Sequence, residues 1–255
     1  AGSNMHLAIV TEELARGCAS TAVIYASHLS LCAKYIDMFG NDEQKASYLP
    51  SLINTSSLGA LALTEPDAGS DVAAIKTLVT DTDKGFLING SKHFITNAKE
   101  AGVIIVVASR DPSLGYKGLE AFILESPCEG LTITPQTGKL GIRASSTCEL
   151  NFNNVLISND NRIGEAGRGF HMTMEILDIG RILIAAQSVG IAQMALDASL
   201  KYSKQRRAFG ASISDFQAIQ IMLANMATEI EAARLLTYRS AVLSDYNQPF
   251  ETEAS

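Results

Sequence analysis

The sequence predicts an α+β fold, with an antiparallel β-domain set between an N-terminal helical region and a C-terminal helical bundle. Three observations carry that expectation. Helical spacing of apolar residues runs to about Asn54, short apolar runs broken by turn residues fill the stretch from about Leu58 to Ile157, and helical patterning returns beyond Gly169. The corresponding domains are residues 1–57, 58–160 and 161–255.

In the first stretch Leu7, Val10 and Leu14 recur at helical spacing. Asn41 followed by Gln44 has the pattern of a capping box, so another helix is predicted to open there, with Pro50 near its end. Leu78-Val79, Phe86 to Ile88 and Phe94-Ile95 are short apolar runs in the middle stretch. Asn89-Gly90 reads as a hairpin turn, because both residues tolerate positive φ. Val103 to Val107 is a continuous apolar run of strand length, followed by Ala121 to Leu124 and Leu131 to Thr134. Phe170 to about Lys204 predicts one long helix, Gly210 punctuates it, and a second runs from about Asp215 to Ser244 with Asn225, Thr228 and Glu229 on its polar face. The last residues, Phe250 to Ser255, read as the start of a further helix. Two long amphipathic helices need further helices to cover their apolar faces, so the bundle is expected to be incomplete and the chain to be part of a longer protein.

Composition narrows the functional classes. The chain has 255 residues, 47% hydrophobic and 18% charged, which suits a folded, well-cored protein of one large or two ordinary domains. A net charge of -7 argues against nucleic-acid binding, which leaves a basic footprint. No uninterrupted apolar run reaches the roughly 18 residues of a membrane span, and no secretory signal pattern opens the chain. Cys18, Cys32, Cys128 and Cys148 form no C-x-x-C pair and have no His at ligand spacing, so no metal site is expected. Reduced, mostly buried thiols in a reducing compartment fit instead.

Four clusters have the residue types for chemistry. Leu63 to Asp71 reads Leu-Thr-Glu-Pro-Asp-Ala-Gly-Ser-Asp. Pro66 stiffens a turn, Gly69 permits close approach of a ligand, and Ser70 with Asp71 offers hydrogen-bonding groups at a possible helix N-terminus. An ordinary turn with a Ser/Asp cap has the same composition. Asn89 to Asn97 leads to Phe94 and Thr96, two apart on a strand and so on one face, where a flat ring could pack and accept a hydrogen bond. A core Phe beside a surface Thr fits equally. Asp178 and Arg181, three apart on a helix, suit either ligand contact or a simple ion pair. Arg206, in the run Gln205 to Gly210 ahead of Phe216-Gln217, could clamp a pyrophosphate or complement a helix C-terminus. The run Gly164 to Gly169 has the wrong order for a dinucleotide fingerprint and reads as a linker, and neither a Walker A motif nor a G-x-S-x-G elbow is present.

Taken together, these clusters resemble the acyl-CoA dehydrogenase family over nearly the whole chain, from Glu12 to Phe250. The blocks Thr64 to Asp71 and Ile95 to Asn97 are highly specific to it, and Lys139 to Thr147, Leu177 to Arg181 and Arg206 to Gly210 complete the match. Gly115 to Gly118 and Arg143 to Cys148 are similar to the short/branched-chain members, and Leu177 to Ile182 to the straight short-chain ones. The resemblance implies that Leu61, Ala62, Leu63, Thr64, Glu65, Pro66, Asp67, Ala68, Gly69 and Ser70 line FAD, with Phe94, Ile95 and Thr96 as the other flavin wall. It implies that Arg206 and Gln217 bind the FAD of a neighbouring subunit in a homotetramer. Ser70, Tyr116, Phe170, Asp178, Ile179, Gly180 and Arg181 are implied to meet the acyl-CoA.

The implied reaction is α,β-dehydrogenation of short linear or branched acyl-CoA to 2-enoyl-CoA, within fatty acid or branched-chain amino acid catabolism. A carboxylate removes the α-proton, the β-hydride goes to FAD, and electrons leave to an electron-transfer flavoprotein. The implied compartment is the mitochondrial matrix in a eukaryote and the cytoplasm in a bacterium. Three features depart from the family pattern. Phe94 stands where many members have Trp, Asp67 replaces a common Gly, and the usual base position late in the sequence is not reached by residue 255. A minority of members carry the base just before the arginine matched by Arg181, and that position is Gly180. The catalytic Glu is therefore expected beyond residue 255. An acyl-CoA oxidase-like flavoenzyme and a non-catalytic flavin or acyl-CoA binding module are the alternatives.

Overall fold

The computed structural model describes residues 2–255. The chain divides into two compact units, one of residues 24–180 and one of residues 1–23 with 181–255.

The unit of residues 24–180 is built on one mixed sheet. Its strands are β1 (Leu58–Ala62), β2 (Leu78–Thr82), β3 (Gly85–Thr96), β4 (Ala101–Ser109), β5 (Leu119–Glu125), β6 (Leu131–Pro135), β7 (Thr147–Ile157) and β8 (Arg162–Ile163). The order is β6-β7-β3-β2-β4-β5-β8, with β1 also paired to β4. Most neighbours are antiparallel, as expected, but β1 runs parallel to β4 over Leu58–Ala62 and β2 meets β4 in parallel at Leu78 and Ser109.

The unbroken apolar run in β4 has a structural reason. Val103, Ile105 and Val107 belong to one core cluster with Cys32, Tyr35, Ile36, Met172 and Ile176, whereas Ile104, Val106 and Ala108 belong to a second with Phe86, Ile88, Phe122 and Leu150. Side chains alternate between faces along a strand, so a strand covered on both faces is apolar at every position. Each fully buried Ile or Val contributes roughly 1.5–3 kcal/mol relative to exposure.

One expected turn is elsewhere. Asn89-Gly90 lies inside β3, where the register against β7 shifts between Ile88 and Gly90. Gly90 has φ 145° and its missing side chain makes room for Thr77, whose Cα would lie 2.7 Å from a Cβ there. The pair is thus a bulge with a close backbone contact. The hairpin closes instead at Asp83-Lys84, between Thr82 and Gly85, paired residues of β2 and β3.

Helices in the chain begin with α1 (Asn4–Gly17), α2 (Ala19–Ala26), α3 (Lys34–Phe39) and α4 (Asp42–Ile53). The Asn41–Gln44 capping box opens α4, and Pro50 is accommodated near its end. The continuous helical reading of the first stretch missed a π-helical segment, Ser27–Ala33. That segment places His28 against both α4 and β1: its Nε2 lies 3.0 Å from the Leu52 carbonyl, and its Nδ1 accepts from the Gly59 amide at 2.9 Å. Gly59 is required there, because a Cβ would lie 2.5 Å from Cys32. Helix α5 (Gly169–Gln205) starts in this unit and continues into the other.

In the unit of residues 1–23 and 181–255, α1 lies with the rest of α5 and with α6 (Gln217–Asp245). Val189 and Leu196 of α5 pack with Ile230 of α6. Glu12 of α1 accepts hydrogen bonds from Arg234 Nε (2.9 Å) and Tyr238 Oη (2.8 Å), and Arg234 also reaches Gln193 Oε1 at 2.7 Å. Between α5 and α6 a two-residue loop, Phe209-Gly210, joins the short strands β9 (Arg207–Ala208) and β10 (Ala211–Ser212). Residues 251–254 form a final short helix, α7 (Glu251–Ala254). Exposed Ile184, Ile191, Met194, Leu235 and Leu236 show that α5 and α6 present apolar faces to solvent.

Helix α5 is long and apolar enough to cross a membrane by length and composition, with half of its most apolar window buried in protein. It contains Asp178 and Arg181 and contributes Met172 and Ile176 to the sheet core, the character of a core helix of a globular protein.

Candidate active site

The first two motifs are fastened to each other. The His93 amide donates to the Thr64 carbonyl at 2.8 Å. Next to it, Lys92 Nζ donates to the Leu63 carbonyl at 2.8 Å and to Glu65 Oε1 at 2.9 Å. Glu65 also accepts from the amides of Lys76 (2.7 Å) and Thr77 (2.9 Å). A reciprocal pair of backbone bonds between Glu65 and Ala68 closes the turn. The segment Leu63 to Thr77 is therefore gripped from both ends, and Pro66, Asp67, Gly69 and Ser70 stay exposed on it.

Lys92 is completely buried. Burial pulls its ammonium down to about 8, against the opposing charge of Glu65. Burial pushes the Glu65 carboxyl upward, but the Lys92 charge and the bonds from Thr77 and Lys76 outweigh this and hold it below its ordinary value. The motif reading missed this pair. The available signal was a lysine two residues from Phe94 in a stretch whose strand partners are apolar.

Several expected site residues prove to be scaffold. The side chains of Leu61, Ala62 and Ile95 lie in the sheet core, so they cannot present themselves to a ligand. Glu65 is committed to Lys92 and two amides, and Ala68 is buried within the turn. Ser70 and Asp71 do not begin a true helix: only a single 3-10 turn, Val72–Ala74, follows, and Asp71 makes no side-chain cap. Asp67 pairs with Lys76 at 3.2 Å on the surface.

Phe94 departs from regular strand geometry. Its φ is 59°, and the register against β7 shifts between Lys92 and Ile95, so simple alternation does not relate it to Thr96. The ring is 61% exposed, edge-on to His93 at 4.2 Å between centroids, while its neighbour Ile95 is core. His93 in turn contacts Gln136 Nε2 at 2.8 Å. An aromatic ring held open to solvent on a rigid strand, with a threonine hydroxyl two residues on, fits a flat heteroaromatic group.

A second aromatic group belongs to the same unit. Tyr116 lies 5.4 Å from Phe170 and 5.9 Å from His171 between ring centroids, where the 112–118 loop meets the start of α5. Further along α5, Asp178 is half-buried, Ile179 and Gly180 are buried and Arg181 is exposed. A Cβ at Gly180 would lie 3.0 Å from Leu31 Cδ2.

Arg206 and Gln217 lie in the other unit. Helix α5 ends at Gln205, and the Arg206 carbonyl accepts from the Ile213 amide at 2.9 Å, which closes the β9–β10 hairpin beneath an exposed guanidinium. Phe216 caps the hairpin from the far side, edge-on to Phe209 at 6.2 Å, and Gln217 follows it as the exposed first residue of α6. Among the described residues no three His, Cys, Asp or Glu side chains gather as a metal site.

Three family descriptions match in order: acyl-CoA dehydrogenase N-terminal domain at residues 1–56, middle domain at 60–155 and C-terminal domain at 167–255. The chain belongs to the acyl-CoA dehydrogenase family. Rat mitochondrial short-chain specific acyl-CoA dehydrogenase is 44% identical over 247 residues, 97% of this chain and 60% of that protein. A short-chain specific acyl-CoA dehydrogenase of Clostridium acetobutylicum is 42% identical over 254 residues, 100% of this chain and 67% of the relative. The structure of butyryl-CoA dehydrogenase from Megasphaera elsdenii superposes with a TM-score of 0.94 at 44% identity, covering 96% of this chain and 64% of the other. The chain thus spans about 60% of the length of its mammalian relatives. Acyl-CoA dehydrogenases are FAD-dependent flavoprotein oxidoreductases, and the exposed ring of Phe94 beside the gripped Leu63–Ser70 turn is compatible with that cofactor.

Proposed function

We propose that the protein containing this chain catalyses α,β-dehydrogenation of short linear or singly branched acyl-CoA thioesters. The observation that carries this reading is the fastening of the Leu63–Ser70 turn to β3 through Lys92 and His93, beside the open ring of Phe94. FAD, when bound, supplies the two-electron acceptor for the β-hydride.

On this reading Phe94 offers its ring face to the flavin, and the Thr96 hydroxyl donates toward the flavin ring. Thr64 and Ser70 line the other side, with Ser70 also facing the thioester arm. Tyr116 and Phe170 border the acyl-CoA, and Asp178 and Arg181 meet its CoA part. Arg206 and Gln217 reach the FAD of a neighbouring subunit in a homotetramer, the arginine through a charge-assisted bond to the pyrophosphate. No residue of the chain is assigned as the base. Gly180 has no side chain to remove the α-proton, and Leu31 crowds the space that a larger residue would enter. The base is a glutamate beyond residue 255, and electrons pass on to an electron-transfer flavoprotein. The protein works in the mitochondrial matrix of a eukaryote or the cytoplasm of a bacterium.

Turnover of the full-length protein with butyryl-CoA, 2-methylbutyryl-CoA and dodecanoyl-CoA tests this reading. The short substrates are expected to turn over faster, and the opposite order overturns the assignment of chain length.

A further inference from the structure

Glu65 and Lys92 do more than fill space. A buried ion pair costs desolvation on both sides, and an apolar pair of similar volume often serves stability as well or better. This pair, however, is also a junction. The Lys92 ammonium spans the Leu63 carbonyl and the Glu65 carboxylate, at 2.8 and 2.9 Å. That carboxylate collects the amides of Lys76 and Thr77, the residues by which the chain leaves the turn. On the strand side, the residue after Lys92 holds the Thr64 carbonyl, and the next is Phe94. No other side chain is bonded to both the 63–65 segment and the 76–77 segment through its own charge or its partner's. The spacing between the exposed part of the turn and the Phe94 ring therefore depends on this one contact.

We propose that Lys92 and Glu65 are positioning residues for the flavin, setting the distance between the Thr64–Ser70 turn and the Phe94–Thr96 wall without touching the cofactor themselves. This rests on the flavin reading given above. The pair imposes geometry because its donors and acceptors are directional, and an apolar replacement would fill the same volume without fixing the turn.

The test uses the full-length holoprotein and the Glu65→Gln/Lys92→Met double variant, which removes both charges together and leaves neither buried alone. Three readouts are taken: the FAD dissociation constant, the visible circular dichroism of the bound flavin, and hydrogen exchange of the Lys76, Thr77 and His93 amides in flavin-free protein. The double variant is expected to bind FAD at least tenfold more weakly, with an altered visible spectrum and faster exchange at those three amides. Affinity within twofold of wild type and an unchanged visible spectrum overturn the proposal, even if the melting temperature falls, because a merely structural pair changes stability alone. Should the double variant not fold, Glu65→Gln, which keeps the shape and one acceptor oxygen, is read by the same criteria. Failure of the wild-type holoprotein to hold FAD at all would overturn the flavin reading itself and this inference with it.

Discussion

Gly190 of α5 and Glu12 of α1 approach so closely that a Cβ on the glycine would lie 2.2 Å from the Glu12 carbonyl oxygen, and 2.8 Å from the Ala15 side chain. Backbone cannot yield as a side-chain tip can. Gly190→Ala is therefore expected to destabilise by about 1–3 kcal/mol through overpacking. Gly180→Ala meets only the end of the Leu31 side chain and should cost less. Denaturant midpoints of the two variants check the order, and equal midpoints would contradict it.

The same carbonyl belongs to a residue whose side chain anchors a polar network. Arg234→Met leaves the buried Glu12 carboxylate without its cation and should cost on the order of 3 kcal/mol. Adding Glu12→Leu to that variant removes the stranded charge. The double variant is expected to recover much of the loss, which a double-mutant cycle from urea unfolding measures.

Acid sensitivity should come in two steps. His28 is held neutral, with its Nδ1 accepting from Gly59, and burial lowers its pKa below the ordinary 6.5. The unfolded chain therefore binds this proton first. Stability is fully present above 6.5 and declines as the pH falls below it, until the folded pKa is passed. Glu65, lowered below its ordinary 4.5, adds a second loss that begins only below about that pH. A His28→Gln variant should lack the first step and keep the second in a stability-against-pH titration.

Flavin retention should depend on Phe94 and Arg206 for different reasons. Phe94→Ala removes ring contact, and its loss of FAD affinity should be insensitive to salt. Arg206→Ala in the full-length protein removes a charge-assisted bond worth about 1.5–3 kcal/mol, and its effect should shrink as ionic strength rises. Equal FAD affinity of wild type and Arg206→Ala at low salt would rule out the pyrophosphate role.

Much of this protein was legible in the order of its residues. Periodicity placed the long α5 and the strand Val103 to Val107, and Asn41 with Gln44 announced the start of α4, because helices, strands and caps are read from neighbours within a few positions. The Thr64–Asp71 and Ile95–Asn97 blocks carried the family in the same local way. Long-range contact decided the rest. Asn89-Gly90 has the composition of a hairpin turn, yet Thr77 packs against Gly90 and turns it into a bulge, while the chain reverses at Asp83-Lys84. Lys92 stands between a serine and a histidine and gives no local sign of burial. It is buried because β3 lies in the sheet interior against Glu65, a residue 27 positions earlier. Whether a charge is a solvated surface group or the pin of a site depends on what the fold brings opposite it, and no spacing within one segment contains that information.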